Sequence, residues 1–162
     1  MEHAMRNNTL ARLAGAAAVV ALDQIAKHLA RTLLTRGSPV EVIPGFFNLT
    51  LVFNQGAAWG MLAGFRYGFI ALAFAMLALV VFRHDAIFGK GRLGAVSSTL
   101  LCGGIVGNLI DRIATGRVTD FLDFWHGSYH FPCFNVADSA ISVGIALFFV
   151  ASFAVRPTRE SE

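Results

Sequence analysis

The sequence predicts a mainly α membrane protein: four transmembrane helices with a small extracytoplasmic β-sheet and an interfacial aromatic loop. Three observations predict it. Of 162 residues, 56% are hydrophobic and 14% charged, with a mean hydropathy of +0.62; a soluble domain of this size has too little interior to hide so much apolar surface. The apolar residues gather into four runs of near-membrane length. Between the runs lie two segments rich in β-branched and aromatic residues, the composition of strands and of the headgroup zone.

The first span covers about Leu13 to Leu34 and is interrupted by Asp23, Lys27, His28 and Arg31. Arg6 and Arg12 before it mimic the start of a cleaved leader, but Asp23, Gln24 and Lys27 follow directly and no small-x-small site closes the run, so it reads as a retained helix. The second span, Tyr67 to Phe82, is uncharged and fenced by Arg66 and Arg83. The third, Leu93 to Ile110, carries Gly103, Gly104 and Gly107 for close helix packing. The fourth, Ser139 to Val155, stops at Arg156 and Pro157, and a short polar tail follows. The whole chain, 1–162, reads as a single domain.

Orientation follows from the Lys and Arg residues flanking the spans. Arg6, Arg12, Arg83, Lys90, Arg92, Arg156 and Arg159 fall on one side, against Arg36, Arg66 and Arg117 on the other, with Arg31 and Arg112 close to that second face. Both termini and the loop from Asp85 to Gly91 are therefore expected in the cytoplasm, with 35–66 and 114–136 outside. Val40 to Phe53 reads as one or two strands. Phe121 to Phe134 holds six aromatic residues and reads as a loop lying on or in the interface. The net charge of +3 comes from scattered basic residues without a phosphate-gripping cluster, which argues against nucleic acid. Cys102 and Cys133 form neither a disulfide framework nor a zinc signature.

Chemistry concentrates in the acids. Asp23, Asp111, Asp120, Asp123 and Asp138 lie in or beside the apolar runs, where a carboxylate is expensive and usually functional. Asp120 and Asp138 fall between the third span and the fourth, at one membrane surface, close enough in sequence to meet. Carboxylates that share a proton are the minimal equipment of an aspartic peptidase. Asp123 is a competitor for either place. Asp23 and Lys27 are four apart, on one helix face, either as a simple ion pair or with Asp23 pointing into the bundle and Lys27 snorkelling outward. Asn54-Gln55-Gly56-Ala57-Ala58 reads as a turn that can also present an amide and backbone N–H groups to an extended peptide. Asn108 and Asp111 share a face three residues apart. Arg112 can be a surface partner of Asp111. Asn135 and Asp138, with Ala137 between, repeat the three-residue spacing, and Asn135 suits a helix cap. His126 and His130 would be placed to ligate a metal only in a helix, which Gly127 and the aromatic residues argue against. A proton-coupled transporter would want its acids near the midplane, and a non-catalytic assembly factor leaves the polar strings unexplained.

Five strings carry a resemblance: Asp23-Gln24-x-x-Lys27, Asn54-Gln55-Gly56-Ala57-Ala58, Gly107-Asn108-Leu109-Ile110-Asp111-Arg112, Val118-Thr119-Asp120-Phe121 and Phe134-Asn135-Val136-Ala137-Asp138-Ser139. In order and spacing, from about residue 15 to residue 150, they closely resemble bacterial lipoprotein signal peptidase (signal peptidase II). The resemblance implies a monomeric multi-pass enzyme of the bacterial cytoplasmic (inner) membrane, active near the outer face and without metal or cofactor. It would remove the signal peptide from a diacylglyceryl-modified prolipoprotein by cutting immediately before the lipidated cysteine. It implies Asp120 and Asp138 as the catalytic pair. Asp23, Asn54, Gly56, Asn108, Asp111, Arg112, Asn135 and Ala137 would support the pair or hold substrate, and the outer sheet would resemble the family's β-cradle.

Overall fold

Long apolar runs free of proline become helices, and the β-branched stretches between them become strands. The computed structural model describes residues 2–56 and 61–154. Ala57 and Ala58, expected to complete the Asn54 turn, and the polar tail from Arg156 lie outside the described residues.

Helix α1 runs over Glu2–Leu33 and ends where Gly37, at φ 81°, and Pro39 turn the chain. Strands β1 (Val40–Ile43) and β2 (Phe47–Asn54) follow, joined through Pro44 and Gly45. The stretch that reads as one or two strands is thus two. Helix α2 (Arg66–Phe82) is followed by a five-residue helix α3 (His84–Phe88), within the segment expected to be a loop. Helix α4 (Arg92–Thr115) continues five residues past the expected end of its span and closes on the left-handed Gly116, whose N–H donates to the Arg112 carbonyl. Then come β3 (Val118–His126), β4 (Tyr129–His130) and α5 (Val136–Ala154). Helices α1, α4 and α5 contain stretches long and apolar enough to cross a membrane; α2 is shorter, at 17 residues.

The expected aromatic loop is largely sheet. Phe121 to His126 belong to β3, and four strands pair antiparallel in the order β1-β2-β3-β4. Phe124 stacks between Phe47 and Phe134, so the aromatics that suggested an interfacial loop are cross-strand packing partners. A bulge on β2 between Leu49 and Val52 shifts the register so that Val52 opposes Asp120 and Asn54 opposes Val118. The sheet sits at the bundle end where α1 and α4 finish and α5 begins, sealed to it by Ala30, Leu51 and Phe121.

Helix α4 is the hub, packed on α5, α1 and α2. Its glycines permit this. A Cβ on Gly103 would lie 2.6 Å from Val19 of α1, and one on Gly104 would lie 2.5 Å from the Ala137 carbonyl of α5. The polarity is inverted relative to a soluble protein. Phe82 and Phe153 are 83% and 80% exposed, whereas Asp23 and Lys27 are wholly buried; lipid is the solvent that makes this arrangement favourable.

Candidate active site

Three structural junctions meet at the sheet end of the bundle: the end of β2, the start of β3 and the first turn of α5. They bring Asn54, Asp120 and Asp138 around one cavity of about 480 Å3. Asp120 is 2% exposed. Its Oδ1 accepts a 2.7 Å hydrogen bond from Asn135 Nδ2, and its Oδ2 one of 3.1 Å from Asn54 Nδ2. The Asp138 Oδ1 accepts 2.7 Å from Asn108 Nδ2, and its Oδ2 accepts 3.2 Å from the Asn135 backbone N–H. The Asp138 N–H returns 2.9 Å to Asn135 Oδ1, so Asn135 and Asp138 cap α5 reciprocally. Asn135 therefore caps the helix, as its residue type suggests, and with its other side-chain atom holds Asp120.

Burial pushes the Asp120 carboxyl up to about 7, and the Asp138 charge pushes the same way; the hydrogen bonds from Asn54 and Asn135 oppose both. The pair can thus hold one proton near neutral pH. Burial also drives the Cys133 thiol up to about 12, which removes it as a nucleophile.

Behind the pair stands a buried charge cluster. Lys27 Nζ lies 2.9 Å from Asp23 Oδ2 and 3.5 Å from Asp111 Oδ2, and donates 2.9 Å to Asn108 Oδ1. The expected snorkelling of Lys27 does not occur: its ammonium is drawn inward by two carboxylates and the Gly107 carbonyl at 3.5 Å. Both readings of Asp23 hold together, since it pairs with Lys27 and also accepts the Ala137 N–H at 2.9 Å. Asp111 accepts the Thr119 N–H at 2.9 Å, fixing the residue before Asp120.

Arg112 is not a partner of Asp111. Its guanidinium lies over Phe69 of α2 and donates 3.3 Å to the Gly56 carbonyl, tying the Asn54 turn to α4. Asn54 Oδ1 also accepts the Gly56 N–H at 2.9 Å. Asp123 stands apart. Three residues on from Asp120 along a strand, it points to the other face, where it accepts from Thr50 Oγ1 at 3.1 Å and pairs with His130 Nδ1 at 2.9 Å. His126 and His130 sit on the β3–β4 hairpin, and among the described residues no three metal-ligating side chains stand together. Sequence reasoning missed two supporting contacts: Gln24 Nε2 on Asp23 Oδ2 at 3.1 Å, and Arg31 Nη1 on Thr119 Oγ1 at 3.0 Å. The periodicity of α1 held the clue, because residues 24, 27 and 31 lie on one helix face with Asp23.

Membrane-length helices around a buried, hydrogen-bonded carboxylate pair define the class, a membrane peptidase of the aspartic type. Residues 15–154 match the family model described as signal peptidase (SPase) II. The chain belongs to the signal peptidase II family. It is 46% identical over 131 residues to the lipoprotein signal peptidase of Symbiobacterium thermophilum, covering 81% of this chain and 86% of that one. It is 41% identical to that of Hydrogenovibrio crunogenus, covering 89% and 86%. A solved bacterial membrane enzyme superposes with a TM-score of 0.82 at 36% identity, covering 94% of this chain and 93% of the other.

Proposed function

We propose that the chain removes the signal peptide from diacylglyceryl-modified prolipoproteins, cutting immediately before the lipidated cysteine, with Asp120 and Asp138 as the catalytic pair. The observation that carries the assignment is Asn135, whose side chain binds Asp120 and whose backbone and amide oxygen bind Asp138. Two carboxylates held this way resist double ionisation and share one proton. The ionised member takes a proton from a water held between them. That water attacks the scissile carbonyl while the protonated member gives its proton to the developing oxyanion, and a proton then passes to the leaving amine. Asn54, Asn108 and Asn135 aim the pair. Asp23, Asp111 and Ala137 fix the helix ends that carry it, and Gly56 and Arg112 shape the wall beside it.

The full topology belongs to this reading. Helix α2 is the fourth crossing of a single peptidase domain, 1–162. Both termini lie in the cytoplasm and the sheet rests at the outer face of the bacterial inner membrane; the distribution of Lys and Arg supports this orientation. The enzyme acts as a monomer on a substrate whose acyl chains stay in lipid.

The test uses purified protein and a diacylglyceryl-modified prolipoprotein. Wild type is expected to generate a new N-terminus at the lipidated cysteine. Asp120→Asn and Asp138→Asn are expected to abolish it, and Asp123→Asn to retain substantial turnover. Near-normal cleavage by both of the first two variants would sink the assignment.

A further inference from the structure

A second cavity, of about 420 Å3, shares Asn54 and Gly56 with the one that holds the carboxylate pair. The two differ in what walls them. The first reaches along α4 and α5, past Asn108, Ser142 and Val143. Among the described residues, the second is built only from segments that connect helices: Arg36 after α1, Val52 and Phe53 of β2, and Arg117 ahead of β3. It carries two cations beside a negatively charged pair. The Arg117 guanidinium lies 4.1 Å from the centre of the Phe53 ring, which holds the planar group in place. Elsewhere the cations near this end are engaged. Lys27 and Arg31 are ion-paired, and Arg66 donates to the last carbonyls of α4. Among the described residues neither Arg36 nor Arg117 has a carboxylate within ion-pair distance.

We propose that this second cavity receives the first residues of the mature chain beyond the lipidated cysteine, and that Arg36 and Arg117 make it prefer acidic side chains there. The inference rests on the peptidase function proposed for the carboxylate pair. A signal segment is apolar and fits the cavity that runs along the helices. The mature chain beyond the scissile bond has to leave the bilayer, and the way out past Asn54 and Gly56 opens on the arginine-lined cavity. Because the Asn54 amide bonds Asp120, an occupant of that cavity is only a few residues from the bond to be cut. Two guanidinium groups suit a carboxylate, each offering planar paired donors. A lipid headgroup phosphate would satisfy the same donors, but it would arrive along a helix face, and among the described residues no helix residue lines this cavity.

The test is a set of diacylglyceryl-modified prolipoproteins identical except for residues two to four after the cysteine: Asp, Asn or Lys. Each is assayed in zwitterionic and in anionic bilayers. Wild type is expected to favour the Asp substrate over the Asn substrate roughly three- to tenfold in kcat/KM, the size of a partly solvated charge-assisted contact. In Arg36→Gln/Arg117→Gln that ratio falls toward one, and in Arg36→Glu/Arg117→Glu it inverts toward the Lys substrate. An active wild type that cleaves all three alike overturns the inference, as does a preference left unmoved by both double variants. So does variant sensitivity that tracks the anionic lipid rather than the substrate, which would assign the cavity to a headgroup. A wild type that cleaves none of the three overturns the peptidase reading itself.

Discussion

Asp120→Asn should abolish cleavage and, above neutral pH, make the protein more stable. In the folded chain, burial and the neighbouring Asp138 raise the carboxyl from 3.8 to about 7. That is about three units, or ~4 kcal/mol at 1.36 kcal/mol per unit. The raised value sets the sign. Between pH 3.8 and about 7 the folded state binds the proton and the unfolded state does not, so stability from this group is fully present below 3.8 and is lost as pH rises through 7. An amide carries no charge to bury and escapes this loss. It does have one acceptor oxygen where the carboxylate has two, so one of the donors from Asn54 and Asn135 meets an NH2 group. That mismatch costs about 1–3 kcal/mol and changes little with pH. The variant is therefore expected to gain a net ~1–3 kcal/mol at pH 8 and to gain nothing at pH 5, where most of the ionisation cost has not yet appeared. At about 2–4 °C per kcal/mol, its Tm relative to wild type should rise by roughly 5–10 °C between pH 5 and pH 8. Thermal unfolding in detergent at the two pH values measures it. A difference that does not change with pH would refute the buried, proton-sharing description of Asp120, whatever happened to activity.

Lys27→Met should leave Asp23 buried without its cation and Asp111 with only Arg31, at 3.7 Å, lowering stability by about 3–5 kcal/mol; adding Asp23→Asn should recover part of this, and thermal unfolding that moves by less than ~1 kcal/mol in the single variant would contradict the cluster. Asn54→Ala removes a hydrogen bond that favours ionised Asp120, so the pKa rises further and the alkaline limb of the kcat/KM profile should shift to higher pH; a limb shifted lower would refute the role given to Asn54. Gly107→Ala would set a Cβ 2.6 Å from Asp23 Oδ2 and 3.1 Å from the Ala137 Cβ. It should destabilise by about 1–3 kcal/mol and reduce cleavage, and an unaffected Tm would mean that α1 and α5 are free to yield there.

Local signals were legible and long-range ones were not. The helix positions followed from apolar length, and Asn135 as a cap followed from residue type and spacing. The meeting of Asn108, Asn135 and Asp120 was not readable, because residues 27 and 15 positions apart are joined only by tertiary packing. Phe121 to His126 misled because aromatic residues serve a headgroup zone and a paired strand equally well. Only the partner strand β2, some seventy residues earlier, decides between them. Lys27 misled because snorkelling assumes a lipid-facing stem. Here Gly107 leaves a gap in α4 that admits the Asp23 carboxylate, and the ammonium follows it inward. The helix α3 escaped notice because five residues show no periodicity.

In lipid, apolar helix faces gain little by meeting one another, so close packing at small residues and interhelical hydrogen bonds hold a bundle together. Here those bonds converge on the carboxylates. Lys27 joins α1 to α4 through Asp111 and Asn108; Asp23 joins α1 to α5 through the Ala137 N–H; Asn108 joins α4 to Asp138; Asp111 joins α4 to β3 at Thr119. On the proposed function, removing any one of them should loosen a helix contact and misaim a carboxylate oxygen of the pair together. Asp120 is the exception, since on the proposed function its burial serves the reaction, while the raised carboxyl opposes the fold above neutral pH. Substitutions in the supporting cluster should therefore lose stability and activity in parallel, whereas Asp120→Asn should separate them. That opposite response is the signature of a carboxylate kept buried for its proton rather than for its contacts.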